Sequence, residues 1–474
     1  MTLTSDTRIE IEQAVDPDQI REVADLAREI WNEHYTPIIG AGQVAYMLDR
    51  FQSEEAIAAD IGARGYQYDL LRVGARPVGY AAYRADPTKG EVFLSKIYLL
   101  GPFRGKGLSR RLLARVVEAA HLTGCYRIRL TVNKYNASSI KAYQALGFSV
   151  IDAVVTDIGG GYSMDDYVMG KTVSQTVATA DINFRDPFLL THEGRYYLFG
   201  TEGATCWQGN PGRLLVYTGT DLEQWEGPRV CFTPPPGFWA DRNFWAPECH
   251  AFNGAFYLFV SFKSPNRKRG TQILRAERPD GPYAPISAGP FTPPEWECLD
   301  GTLHVDSEGR PWGVFCHEWV QVGNGTICAV RLLPDLSGPA DPSVKPVTLF
   351  AANEAAWVNG IDKGARAPEW PGPLGYVTDG PFVRTLPDGR LLMGWSSFSG
   401  NRSYTIGQAV SDHGILGPWR QLPQPIYDQD GGHGMFFDTL DGRLMLAIHK
   451  PNIHLEERPI FLELEETGEG YRVR

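Results

Sequence analysis

Two groups of residues in this chain have types and spacings that suit chemistry. The first is a set of acids and one histidine distributed over a series of aromatic-rich units. Asp186 lies in RDPFLLTHEGRYYLFG, Glu248 in WAPECHAFNGAFYLFVSF, Asp300 in LDGTLHVDSEGRPWGVFCHEW, Asp379 in TDGPFVRTLPDGRLLMGWSSF and His433 in GGHGMFFDTLDGRLMLAIH. Acids beside apolar strands are costly to bury unless they are paired or put to work. Carboxylates that converge on one mouth can supply a proton donor and a base that activates water, the pair that cleavage of a glycosidic bond requires. The second group is RGKGLS, residues 104–109, in which Gly105 and Gly107 are flanked by Arg104 and Lys106. A helix amino terminus carries unpaired N–H groups and a positive dipole end, and glycines let an anion approach the main chain, so this loop suits a phosphate. It matches neither GxxxxGK[ST] nor GxGxxG.

The elements that must position these groups follow two different patterns. Up to about residue 171 helical and strand segments alternate. EVFLSKIYLL reads as a strand, and the run after RGKGLS places Leu108, Leu112, Leu113, Val116, Val117 and Ala120 at helical spacing. YRIRLTVNK alternates as the next strand, so RGKGLS sits where a strand turns into a helix. Another helix is expected over DPDQIREVADLAREIWNEHY. After TVSQTVATAD, residues 172–181, helical periodicity ends and short aromatic strands with Gly and Pro turns take over. The lead residues Asp186, Glu248, Asp300, Asp379 and His433 recur about every 50–80 positions, which suits four-stranded blades. Gly-Pro turns recur in EQWEGP, PDGPY and ILGPW. The expectation is a multidomain chain: an α/β (α+β) domain over 1–171, a linker over 172–181, and an all-β five-bladed propeller over 182–474.

Composition narrows the partners. A formal net charge of −11 argues against nucleic acid or an anionic membrane, since both call for a basic surface. No basic segment followed by an apolar stretch opens the sequence, and no run approaches 18 apolar residues. Seven cysteines without CxxC spacing form neither a disulfide framework nor a zinc-ligand pattern, so buried, reduced thiols and a cytoplasmic location are expected.

The block TVNKYNASSIKAYQALGF, residues 131–148, adds Asn136 at a strand end and Tyr143 one turn before Gly147-Phe148. With Arg104, Gly107 and Ser109 of the loop, it gives residues 8–171 a pattern that resembles the GNAT acetyltransferases. Ser109 stands where that family has Gly or Ala. The resemblance implies acetyl-CoA as cofactor, with its diphosphate on the N–H groups of Arg104, Gly105, Lys106, Gly107, Leu108 and Ser109, and Asn136 beside the pantetheine arm. It also implies that Tyr143 protonates the departing thiolate, a role a phenol within hydrogen-bond reach can fill. The acetyl acceptor is expected to be an amine. Trp31, Glu33, His34 and Tyr35 of WNEHYTPIIG, and Asp165 and Asp166 of GGGYSMDDYVMG, are candidates for its pocket, and packing or solvated surface is an equal reading of both clusters.

RDPF, WAPE, LDG and GGHG in combination make residues 182–474 resemble glycoside hydrolase family 43, a family of five-bladed propellers. That resemblance implies Asp186 as general base and Asp300 as the group that orients and tunes the acid, in an inverting reaction. The family's EGP motif is here Asp379-Gly380-Pro381, one methylene shorter, which leaves the acid open between Asp379 by position and Glu318 by residue type, with Glu248 of WAPE as a third candidate. Glu248, Trp245 and His433 are expected to contact substrate, with Trp207, Phe238, Trp239, Phe244, Trp296, Trp319 and Trp357 as further stacking candidates. His433 also matches a last-blade histidine that lies by an axial cation or water cluster in part of the family. The expected function is an exo-glycosidase for small glycosides or oligosaccharides, of arabinofuranosidase, xylosidase or galactofuranosidase type, joined to an N-acetyltransferase. Two alternatives are a propeller that only binds sugar and a transferase domain that is only a scaffold.

Overall fold

The structure, a computed structural model, describes residues 9–173, 176–207, 211–400 and 402–474. Contacts divide the chain into two compact units that meet at residues 175 and 176.

The amino-terminal unit is a seven-stranded sheet covered by helices. Its elements in chain order are β1 (Ile9–Gln13), α1 (Pro17–His34), α2 (Thr36–Ile39), α3 (Ala41–Gln52), α4 (Glu54–Gly62), β2 (Gln67–Val73), β3 (Arg76–Asp86), β4 (Glu91–Leu99), α5 (Leu108–Leu122), β5 (Arg127–Asn133), α6 (Ala137–Ala145), β6 (Ser149–Gly159) and β7 (Tyr162–Thr172). The sheet order is β1-β2-β3-β4-β5-β7-β6. Asp16 caps α1 in a reciprocal capping box with Gln19, Pro17 fits the first turn, and Val23, Ala27, Ile30 and Trp31 turn inward. In α5, Leu108, Leu112, Leu113, Val116 and Ala120 face the core as their spacing predicts.

The single parallel pair matters most for function. Strands β4 and β5 are in register only at Glu91↔Arg127, Val92↔Ile128 and Phe93↔Arg129. Beyond Phe93 they part, leaving an opening in the sheet below the start of α5.

The carboxyl-terminal unit is a five-bladed β-propeller. Its first strands are Phe184–His192, Arg242–Phe252, Cys298–Val305, Asp379–Thr385 and Gly432–Asp438, each hydrogen-bonded to the next strand of its own blade. The described residues of the stretch 172–181 lie mostly in regular structure. Thr172 ends β7, Thr176–Ala178 pairs with the outer strand Gln224–Phe232 of blade one, and Thr179–Asp181 forms a short 3₁₀ turn. Residues 174 and 175 of that expected linker lie outside the described residues. The three Gly-Pro bonds Gly227-Pro228, Gly281-Pro282 and Gly417-Pro418 are cis.

Each blade is a contiguous piece of chain, so side chains join the last blade to the first. Arg185 pairs with Glu457 at 2.8 Å, Asn183 Nδ2 donates to the Glu457 carbonyl, and the Leu440 N–H donates to the Tyr196 hydroxyl. Arg185 and Glu457 are both buried, a setting in which loss of one partner is far costlier than loss of both.

Candidate active sites

One backbone device builds the propeller site. In all five inner strands the ladder to the second strand slips by one residue: between Arg185 and Phe188, Trp245 and Glu248, Leu299 and Thr302, Asp379 and Phe382, and Gly432 and Met435. Each slip holds one residue at positive φ, namely Asp186 (52°), Ala246 (46°), Asp300 (56°), Gly380 (51°) and His433 (46°). These are β-bulges, which bend a strand and re-aim a side chain. Left-handed backbone is uncommon for residues other than glycine and is found where the surroundings enforce it, often at functional sites.

Asp186, Asp300 and His433 therefore occupy equivalent positions in blades one, three and five. Asp379 comes one residue before the equivalent Gly380, and Glu248 two residues after Ala246. The sequence-level choice of Glu248 and Asp379 as lead residues thus misaligns blades two and four, because the bulge consumes a residue that no motif spacing reveals.

A cavity of about 340 Å³ at this mouth is lined by Asp186, Asp300, Glu318, Asp379, His433 and Trp245, among others. Asp186 Oδ2 accepts the Thr201 hydroxyl at 2.6 Å, and His433 Nδ1 lies 3.3 Å from Asp186 Oδ1 and 3.7 Å from Asp300 Oδ2. The Asp186 N–H donates to His449 Nδ1 at 3.1 Å. Burial pushes His449 down to about 3, so it is the neutral acceptor that this bond requires. Asp300 Oδ2 accepts the Gly380 N–H at 3.0 Å, and Tyr404 donates its hydroxyl to Asp379 at 3.0 Å. The peptide of Gly380 must pass close to His433, since a Cβ there would lie 2.7 Å from the imidazole.

The environments push the carboxyls in opposite directions. Burial works against the Asp186 carboxylate, but His433, Arg185 and the Thr201 hydroxyl outweigh it and hold the group below its ordinary value. Burial also works against a charged His433, yet Asp186, Asp300 and Asp379 around it raise its pKa. For Asp300 and Asp379 burial prevails, raising Asp300 to about 8 and Asp379 to about 6, with neighbouring carboxyls adding to the rise. An Asp186 held ionised opposite Asp300 and Asp379, whose carboxyls are pushed upward, is the kind of separation by which acid and base roles are recognised.

Glu318, the other candidate acid, pairs with the Arg269 guanidinium, which also lies over the Trp245 ring at 4.3 Å. Glu248 Oε2 lies 3.2 Å from His250 Nε2, acts electrostatically on His433, and is not among the described residues that line the cavity. Of the candidate aromatics, Trp207, Trp245 and Trp319 line the cavity. Trp296 instead stacks on His317, Trp357 packs on Trp395, and Phe238, Trp239 and Phe244 surround Phe262. Among the described residues no group of three His, Cys, Asp or Glu side chains is arranged to hold a metal ion, so the axial cation gains no support.

Sequence reasoning missed Thr201, Arg269, Tyr404 and His449. All four come from second or third strands, where no motif marks them. Arg185 was legible only as the first letter of RDPF.

In the amino-terminal unit a cavity of about 390 Å³ is lined by Arg104, Gly105, Ser109 and Tyr143, with His34, Tyr35, Ser138 and Ser139 among the rest. Gly105 and Gly107 have φ of 75° and 78°, and Gly107 caps α5 without any side-chain bond to its first N–H groups. Those donors are the ones an anion would take. Leu108 is buried in the core and Lys106 lies over Phe103, so neither side chain lines the cavity and only their main chain can serve the loop. Arg104 Nε donates to the Leu99 carbonyl, and its guanidinium lies 3.4 Å from Glu33.

Asn136 caps α6, accepting from Ser139 N and Ser138 Oγ and lying 3.2 Å from His34 Nε2 through the same Oδ1. Its buried Nδ2 has no partner among the described residues. Tyr143 has its pKa raised by burial and by Tyr35, which keeps the phenol protonated. An uncapped helix start, a parted strand pair and an orphaned amide donor together fit a pantetheine diphosphate.

A bulged acid cluster on a five-bladed propeller defines the class of a sugar-cleaving hydrolase, here preceded by an α/β unit with an anion loop. The chain belongs to glycosyl hydrolases family 43, whose family model matches residues 179–463, and its amino-terminal unit to the acetyltransferase (GNAT) family, matched over residues 25–148. Both are families of enzymes.

The chain is similar to an endo-arabinase from Bacteroides thetaiotaomicron VPI-5482, a solved structure with 39% identity and a TM-score of 0.57, over 63% of this chain and 99% of that one. It is 24% identical to the extracellular exo-alpha-(1->5)-L-arabinofuranosidase ArbA of Cellvibrio japonicus over 34% of this chain. The match spans about half, 47%, of that curated relative's length. An uncharacterized N-acetyltransferase of Mycobacterium bovis is 36% identical over 31% of this chain and 94% of its own length.

Among the described residues no helix is long and apolar enough to cross a membrane. All seven cysteines are buried and free.

Proposed function

We propose that the propeller is an inverting exo-glycosidase of the arabinofuranosidase type acting on short glycosides, and that the amino-terminal unit transfers acetyl from acetyl-CoA to an amine. The observation that carries the glycosidase reading is the opposed electrostatics in one cavity: a carboxyl held down at Asp186 and carboxyls pushed upward at Asp379 and Asp300. Asp186, oriented by Thr201 and His433, takes a proton from water as the water attacks the anomeric carbon. Asp379 gives its proton to the leaving oxygen. Asp300 ties to the Gly380 N–H next to Asp379 and so orients the acid, whose carboxyl is pushed up by burial and by Glu318 and Asp186. Glu318 accepts from the Arg269 guanidinium, so we assign it, with Trp245, to the wall that receives sugar hydroxyls.

In the transferase, main-chain N–H groups of residues 104–109 would hold the diphosphate, Asn136 Nδ2 the pantetheine arm, and Tyr143 would supply a proton. Acetyl-CoA brings the activated thioester. The seven free thiols support a reducing compartment such as the cytoplasm.

The test is a panel of 4-nitrophenyl glycosides (α-L-arabinofuranoside, β-D-xyloside, β-D-galactofuranoside) with wild type, Asp186→Asn, Asp379→Asn and Glu318→Gln. Asp186→Asn is expected to lose about 10²–10⁴-fold in kcat. Asp379→Asn should lose far less on a good leaving group than on a poor one, whereas Glu318→Gln should raise KM irrespective of the leaving group. The opposite pattern moves the acid to Glu318. Absence of any release by wild type, with sugar binding retained, replaces the glycosidase by a sugar-binding propeller.

A further inference from the structure

The cavity of the propeller is rich in hydrogen-bond acceptors. Asp186, Asp300, Glu318 and Asp379 line it, while several of its donors are spent on the protein itself: Thr201 on Asp186, Tyr404 on Asp379, and the Trp245 indole on the Cys206 carbonyl. A sugar hydroxyl that donates to one of these carboxyls still has lone pairs, and leaving them unmet in a closed site weakens binding. Such a hydroxyl needs a donor with a fixed direction.

Blade five builds one. The main-chain N–H of Asp186 can only donate, and it lies 3.1 Å from His449 Nδ1, so that nitrogen carries no proton. His449 is fully buried and neutral, which puts its single proton on Nε2. Nε2 lies 3.4 Å from the side-chain oxygen of Asn452 and donates to it. The imidazole cannot turn over without breaking the Asp186 bond, and it stacks on the Tyr404 ring with centroids 5.5 Å apart. The main chain is anchored as well: the Asn452 N–H donates to Asp430 Oδ2 at 3.1 Å, and the Asp430 N–H donates to Ser403 Oγ at 2.6 Å. With its oxygen committed to His449, Asn452 has its Nδ2 group left over. Asn452 lines the cavity, and Nδ2 has no acceptor among the described residues.

We infer that Asn452 is a specificity-determining residue of the glycosidase, its Nδ2 donating to a hydroxyl oxygen of the terminal sugar, with His449 as the positioning residue that aims it. This rests on the glycosidase reading above. Blades five and one adjoin where the ring closes, and blade three, which supplies Glu318, lies across the axis from them. Asn452 thus holds the sugar from the side of the base. One imidazole serves both groups, accepting the N–H of Asp186 in its left-handed conformation and donating to the amide that meets the sugar.

The experiment uses the full chain with 4-nitrophenyl α-L-arabinofuranoside and its 2-, 3- and 5-deoxy analogues. For each variant the ratio of kcat/KM on the parent glycoside to that on each analogue is measured. Because every ratio is taken within one variant, an unfolded fraction cancels, and the change between variants isolates the pairwise contact. In Asn452→Ala the ratio should shrink about 10-fold at one hydroxyl position and keep its wild-type value at the other two. His449→Asn, which keeps an acceptor beside the Asp186 N–H but lacks the Nε2 donor, should shrink the same ratio. Asn452→Asp keeps the acceptor that His449 requires and sets an oxygen where the donor stood, so on the parent glycoside it should fall at least as far as Asn452→Ala.

Wild-type ratios at all three positions in Asn452→Ala, or wild-type kcat/KM in Asn452→Asp, overturn the inference and leave the glycosidase standing. Wild-type ratios in His449→Asn overturn the positioning role of His449. Failure of wild type to release nitrophenol from the parent glycoside overturns the glycosidase reading and the inference with it.

Discussion

His433 is the cation on which the charge separation of the propeller site depends, and its removal gives a prediction with a definite sign. The substitution of choice is His433→Asn, because position 433 has a φ of 46° and asparagine is among the few residues that adopt that backbone readily. The main-chain N–H bond from residue 433 to Ser396 Oγ, 2.8 Å, then survives. In the native protein the imidazolium stands 3.3 Å from Asp186 and 3.7 Å from Asp300. At an effective dielectric constant of about 20, unit charges at such distances interact by about 4–5 kcal/mol. If relaxation and entering water cancel half, about 2 kcal/mol remains, equivalent to roughly 1.5 pH units. Loss of a cation disfavours each nearby carboxylate, so Asp186, Asp300 and Asp379 must all titrate at higher pH. Both limbs of the kcat/KM profile on an activated aryl glycoside are expected to move to alkaline pH by more than one unit. Activity should therefore fall far more at pH 5 than at pH 8. A profile that keeps its limbs and only loses height, or moves to acid, would refute the electrostatic role and leave His433 as packing.

Two other predictions bear on the same construction. Gly380→Ala places a side chain at a φ of 51° and a Cβ 2.7 Å from the His433 ring. Urea unfolding should show a loss of about 1–3 kcal/mol, with a fall in glycosidase activity larger than the unfolded fraction explains. Burial raises the thiols of Cys206, Cys231 and Cys249, so the native protein should react slowly with a thiol reagent. In denaturant without reductant all seven cysteines should titrate, and fewer would reveal a disulfide.

The legible parts of both sites were those carried by short, contiguous stretches. Asp186, Asp300 and His433 stand inside RDPF, LDG and GGHG, where the bulge residue and its Pro or Gly neighbour are adjacent in sequence. The anion loop was legible because a strand, two glycines and an amphipathic helix follow one another directly. Partners that come from another strand were not. Arg269 meets Glu318 from a different blade, and Tyr404 reaches Asp379 from a third strand whose sequence, YTIGQAVS, resembles any buried strand. The decision between Asp379 and Glu318 depended on such partners, so residue type alone favoured a carboxyl that proves to be paired. Likewise Asp165 and Asp166 are indistinguishable as a dipeptide. The alternation of β7 sends one to Lys134 and the other into the core, and only burial separates their chemistry.

A propeller offers five nearly equal inner-strand positions, yet glycosidic hydrolysis requires unlike groups around one bond. The bulges show how a repeated scaffold meets that demand. Blades one, three and five place Asp186, Asp300 and His433 at the re-aimed position, whereas blades two and four place Ala246 and Gly380 there. Five large side chains at that ring would fill the mouth, and the contact a Cβ at Gly380 would make with His433 shows how little space remains. The two small residues leave room for a sugar, and the Gly380 N–H serves Asp300 directly. The proposed acid, Asp379, stands one residue earlier, outside the ring of bulge positions and within reach of Tyr404. On the proposed reading, the departure of Asp379 from the fivefold pattern is what gives base and acid non-equivalent places in one small cavity.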